Sequence, residues 1–200
     1  IAAKTTKDFA YKWIYDPRGF RENTWMPHFF KQINSQDLES VKRTDQEIHA
    51  IVSYLFDRSE SFKMEKMQNK GNADNGRMLV NSIGCLGCHA TEGEEQVALK
   101  SVNSMRREHG PNLINLGSKT TQKWIYNWIR DPQSYHSGTK MPNLRLSKEE
   151  ASDISAYLIG QRDKDFEKNP RPEVDENGIN LIASDLLSSI LRKDEVKARL

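Results

Sequence analysis

The sequence predicts an all-α protein, helices and loops gathered around a small chemical site, and three observations carry that prediction. No stretch sustains the period-two alternation of Val, Ile and Thr that a half-buried strand needs. Apolar residues recur instead at helical spacing, as in Trp124, Ile125 and Trp128 and again in Ile154, Tyr157 and Leu158. Cys85 and Cys88, the two cysteines of the chain, stand three apart with His89 directly behind them, which points to a site rather than a disulfide framework.

Composition bounds the rest. With 200 residues and 36% hydrophobic side chains, the chain has material for one ordinary domain or two small ones with modest cores. Its mixed charges and formal net charge of +2 give no electrostatic basis for binding nucleic acid or an anionic membrane surface. No run approaches the ~18 consecutive apolar residues of a spanning helix, so no direct membrane span is expected. The chain opens at Ile1 without a charged-then-apolar leader and reads as a piece of a longer, repetitive protein.

An internal repeat organises the elements. When Lys4 is laid on Lys119, the two stretches keep step through Pro27 and Pro142, with identity at Lys4, Thr5, Thr6, Tyr11, Trp13, Ile14, Asp16, Pro17, Thr24, Met26 and Pro27. Unrelated segments of this length share about one or two residues, so duplication is the expected origin. After a polar insertion, Lys31 to Thr44, the match resumes with Ile51, Tyr54 and Leu55 against Ile154, Tyr157 and Leu158. Each copy reads as a helix, a loop carrying Met-Pro, and a second helix. In the later copy Thr121 to Arg130 forms the first helix and Asp131-Pro132 ends it. Ser147 followed by Glu150 opens the second as a capping box.

Polar, charged segments rich in loop formers divide the chain at 58–72 and 161–178, the second with Pro170 and Pro172. Between these expected linkers, 73–160 is one complete unit, whereas 1–57 holds only the back half of the same unit. Residues 179–200 form an amphipathic helix through Ile182, Leu186, Leu187, Ile190 and Leu191, with no evident partner in the chain and the look of a lead-in to a further domain.

The run Gly84-Cys85-Leu86-Gly87-Cys88-His89 is the C-x-x-C-H signature of c-type haem attachment. On one short turn, two sulfurs can form thioethers to the two vinyl groups of a porphyrin while the next imidazole points at the iron. The bound haem would then serve as the apolar core that so small a domain otherwise lacks. Three other readings of two close cysteines stand beside this one. A thioredoxin-like dithiol needs strands and βαβ units that the pattern lacks. A zinc site would have to recruit two distant histidines, and a pair of buried free thiols needs no partner at all. Iron in porphyrin has a second axial position, for which Met141 in Thr139-Lys140-Met141-Pro142-Asn143 is the candidate, its soft thioether raising the reduction potential. A methionine is otherwise commonly a core residue, but Met141 sits in a loop before proline. His109 and His136 are rivals for the same position, and His28 and His49 receive no role.

Across 73–160 these residues resemble the class I cytochrome c family. The resemblance runs from a first helix with Gly76, Leu79 and Val80, through the attachment motif, to Gly110-Pro111-Asn112-Leu113, Met141-Pro142 and a final helix with Tyr157. It implies the cytochrome c fold, in which first and last helices cross with glycine against an aromatic, here Gly76 and Tyr157. It also implies that the Pro111 carbonyl receives the imidazole N–H of His89. The stretch from Ala90 to His109 is longer than the family's usual covering loop. The first copy resembles the second half of such a domain, with Met26 where an axial ligand to a haem attached outside this chain would stand; the alternative is a copy that has lost its haem and survives as packing.

The expected function is single-electron transfer through one haem c with His89 and Met141 as axial ligands, within a respiratory chain. A second haem c is expected if upstream sequence supplies its attachment motif. Expected partners are redox proteins, among them a quinol-oxidising membrane complex or other haem domains of the same multihaem parent. The alternatives are a haem enzyme of the di-haem peroxidase type and a cytochrome subunit of an oxidoreductase complex. Because thioether attachment takes place outside the cytoplasm, the resemblance implies a periplasmic or other extracytoplasmic location.

Overall fold

A computed structural model of the chain describes residues 1–22, 24–30, 32, 34–91 and 110–200. The chain folds into two compact units, one of Ile1–Ala2, Thr6–Glu60 and Lys168–Leu200, the other of Ala3–Thr5 and Ser61–Glu167. Among the described residues there are helices and loops and no strand, and no helix is long and apolar enough to cross a membrane.

The first unit contains α1 (Lys7–Tyr15), α2 (Pro17–Phe20) and α3 (Leu38–Asp57). Thr6 caps α1 by accepting the Phe9 N–H, and Asp16 ends it before Pro17, whose missing N–H suits a first helical position. Ala10, Tyr11, Phe30, Ile48 and Val52 form the core between α1 and α3.

The second unit begins with α4 (Ala73–Ser82), followed by a 3₁₀ turn (Cys85–Gly87) and α5 (Leu116–Lys119). Then come α6 (Gln122–Arg130), α7 (Pro132–Tyr135), α8 (Lys148–Gly160) and the short α9 (Lys164–Lys168). Thr121 caps α6. At the start of α8, the Ser147 hydroxyl takes the Glu150 N–H at 3.1 Å and the Glu150 carboxylate takes the Ser147 N–H at 2.8 Å, the reciprocal bonding of a capping box. Helices α4 and α8 cross with their backbones close together. A Cβ on Gly76 would run into the carbonyl of Asp153, so only glycine permits this crossing. The glycine thus meets α8 backbone one turn before Tyr157, which packs at the edge of the core. Val80, Trp124, Ile125, Tyr126, Ile129, Leu146, Ala151, Ile154 and Leu158 fill that core.

Residues 61–72, expected as linker, lie against the second unit. Phe62, Met64 and Met67 pack on its core. The Glu65 N–H donates to Asn127 Oδ1 at 2.7 Å and Asn127 Nδ2 returns a bond to the Glu65 carbonyl. The Glu65 carboxylate takes Lys148 Nζ at 2.6 Å and also the Arg130 guanidinium. Together they hold its pKa below the ordinary glutamate value, led by the Lys148 bond.

The C-terminal helix also differs from expectation in its bounds and its partner. It forms as α10 (Glu176–Ser188) and, after a break, α11 (Lys193–Lys197). The restart lies at extended Arg192, whose N–H is taken by Glu195 at 3.0 Å. Helix α10 packs on α3 within the first unit. Gln46 Oε1 accepts the Asp175 N–H at 3.0 Å, Arg43 pairs with Asp185, and Gly178 sits over the Gln46 side chain.

Candidate haem site

The attachment turn follows directly from the end of α4. The chain turns at Gly84 (φ +102°), and the Cys88 and His89 N–H groups fold back on the Cys85 carbonyl at 3.2 and 3.0 Å. The two cysteines form no disulfide; Cys85 is half-buried and Cys88 exposed. Burial raises the Cys85 thiol pKa above its ordinary value.

Residues 110–113 are stapled to this turn by two backbone bonds, Gly110 N–H to the Cys88 carbonyl and Leu113 N–H to the Ala90 carbonyl, each 2.9 Å. The staple brings the Pro111 carbonyl oxygen to 2.7 Å from His89 Nδ1. A carbonyl can only accept, so this contact requires the proton on Nδ1 and leaves the lone pair of Nε2 free for a metal. The His89 ring lies where a Cβ of residue 110 would be, which makes Gly110 the clearance that lets the ring sit there.

Met141 is placed by the loop between α7 and α8. Its N–H donates to Thr139 Oγ1 at 3.2 Å, and its Sδ accepts the indole N–H of Trp128 at 2.9 Å. A thioether sulfur has two lone pairs; the indole engages one and the other is available. Trp128 is held in turn by aromatic neighbours, stacked on Trp124 at 5.8 Å and edge-on to Tyr135 at 6.1 Å, both within the range of favourable ring pairs. Phe62, from the segment before the domain, closes the cluster at 5.1 Å from Tyr135.

These residues fit a covalently held haem. Two thiols on one turn, an imidazole with Nε2 free and a thioether with a free lone pair make a suitable donor set. Cys85, Leu86, Leu113, Leu116 and Met141 are partly buried side chains on one apolar cluster, a surface suited to a porphyrin face. Among the described residues no group of three or more His, Cys, Asp and Glu converges to hold a metal ion, so the zinc alternative lacks its ligand set there. His136 is exposed at the end of α7. His28 and His49 belong to the first unit, and His109 lies outside the described residues, as does most of the long stretch from Ala90 to His109.

Two functional positions are not evident from the sequence. Gly110 is legible there only as part of a motif, because its role as ring clearance depends on a contact with His89, far back along the chain. Trp128 reads as part of the helical core stripe. Its signal is the repeat, since Trp13 precedes Met26 by the same interval that separates Trp128 from Met141.

Residues 73–161 match the family model of cytochrome c. A segment of the chain is 30% identical over 95 residues to "Cytochrome c oxidase subunit 2" of Alkalihalophilus pseudofirmus, a match covering 43% of this chain and 25% of that protein. The chain thus accounts for only a minor part of that relative's length. No solved structure matches the chain. The helical fold, the attachment motif and the family match agree on a cytochrome c fold for residues 73–161 and support haem-based electron transfer there.

Proposed function

We propose that residues 73–161 relay single electrons through one haem c, bound as thioethers at Cys85 and Cys88 and ligated axially by His89 and Met141. The observation that carries this reading is the 2.7 Å contact of His89 Nδ1 with the Pro111 carbonyl, which sets the tautomer a proximal ligand needs. Bound haem supplies a one-electron ferric–ferrous couple. The chain's own residues do the rest: Pro111 and Gly110 orient His89, Trp128 orients Met141, and Phe62, Trp124 and Tyr135 hold Trp128 in one aromatic cluster. With His89 and Met141 both holding the iron, no position would be left for a substrate, and the haem would supply one-electron exchange alone.

In this reading the domain works in a respiratory chain on the periplasmic or another extracytoplasmic face, taking electrons from a quinol-oxidising complex or a neighbouring haem domain. The named relative favours a second reading, a cytochrome module belonging to an oxidase-type complex. The deciding experiment is the intact mass of the denatured protein made in a host able to attach haem. An excess of one haem is expected and must disappear in Cys85→Ala/Cys88→Ala protein. No excess in the unaltered chain would overturn the proposal. Rapid peroxide reduction by the native protein would overturn the relay in favour of a haem enzyme with an open axial position.

A further inference from the structure

We propose that the first unit holds half of a second haem site, with Met26 as axial ligand to a His-ligated c-type haem borne on a Cys-x-x-Cys-His turn outside residues 1–200. Several features of the local geometry around Met26 repeat those around Met141. The Met26 N–H donates to Thr24 Oγ1 at 3.2 Å, as the Met141 N–H donates to Thr139 Oγ1 at 3.2 Å. Helix α1 ends at Asp16 with φ −147° and ψ 84°, and α6 ends at Asp131 with φ −150° and ψ 81°. Each then continues into a four-residue helix opened by proline, Pro17 or Pro132. Phe9 stacks on Trp13 at 6.0 Å as Trp124 stacks on Trp128 at 5.8 Å. The helix end, the proline-opened turn and the threonine-bonded methionine are therefore present twice. Cys85 and Cys88 both belong to the second unit, so no cysteine in the chain is left to attach a haem in the first.

A second, independent observation points to a covering group. Trp25 is 99% exposed and Phe29 66% exposed, one on each side of Met26 in the chain. Aromatic side chains of this size each bury about 150–250 Å² when covered, and two of them left bare on the loop that carries Met26 give that loop an apolar face. A porphyrin plane is flat and apolar, and its iron accepts sulfur, so one ligand satisfies the face and the methionine together.

The proposal stands apart from the assignment of Met141, and the experiment separates the two. The 200-residue chain carrying its own haem is titrated in the ferric state with a haem undecapeptide, the His-ligated haem fragment released by proteolysis of a mono-haem cytochrome c. The readout is the sulfur-to-iron charge-transfer band in the far red. One equivalent of peptide should about double the band per chain. Met26→Leu, close in volume and checked for unchanged circular dichroism, should abolish the increase and leave the chain's own band intact. Met141→Leu should do the reverse; if it spares the chain's own band, the axial role of Met141 fails while the proposal for Met26 stands on its own increase. The proposal is overturned by no increase at saturating peptide or by an increase that survives Met26→Leu. It is equally overturned by low-spin conversion without the band, which would hand the iron to a nitrogen ligand such as His28. Self-association of the chain through Trp25 and Phe29 that the peptide does not compete away would assign the face to a second copy and overturn it as well.

Discussion

Replacing Trp128 with Phe isolates one hydrogen bond. The indole N–H meets Met141 Sδ at 2.9 Å, while the ring is held separately by stacking on Trp124 and by the edge of Tyr135. Phenylalanine keeps an aromatic plane in that stack and removes the donor. A hydrogen bond of this kind contributes about 0.5–1.5 kcal/mol, and it withdraws electron density from the sulfur that ferric iron most needs. Losing it makes the thioether a better donor, stabilises the ferric state and lowers the reduction potential. For a one-electron couple, where a tenfold change in equilibrium is about 59 mV, the hydrogen bond sets an upper limit of about 60 mV and an expected fall of a few tens of mV. Spectroelectrochemical titration of the two holoproteins reads this directly. An unchanged potential, with the charge-transfer band retained, would refute the bond as a tuning contact. A rise would refute the argument from donor strength.

Three further outcomes follow from named contacts. Gly110→Ala drives a methyl group into the His89 ring, so the ferric protein should gain high-spin character in its absorption spectrum; an unchanged spectrum would refute Gly110 as the ring's clearance. Gly76→Ala forces α4 off the Asp153 carbonyl. It should cost about 1–3 kcal/mol in denaturant unfolding of the second unit, with the midpoint moved and the slope kept. Glu65, whose folded-state pKa lies below the ordinary 4.5, contributes stability that is present above that value and is lost as pH falls through the folded pKa. The stability gap between the unaltered chain and Glu65→Gln should therefore be flat near neutrality and close in acid, in unfolding curves taken across that range; a gap that persists at the lowest pH would rule out the ion pairs as its source.

The sequence by itself determined what short-range chemistry decides. The helices were legible from apolar spacing and from caps such as Thr121, Ser147 with Glu150, and the prolines after Asp16 and Asp131, because a cap acts within one turn of its own residue. The attachment turn was legible for the same reason, since Cys85, Cys88 and His89 are contiguous and their spacing is the chemistry. The tertiary structure decided what lies between distant segments. It laid 61–72 on α6 through Glu65 and Asn127, and it packed α10 on α3 through Asp175 and Gln46. It also gave Gly110 and Trp128 their roles at His89 and Met141. Those contacts depend on how helices cross and loops close, a matter of packing between elements, and neither periodicity nor propensity encodes which side chain will meet which across the fold.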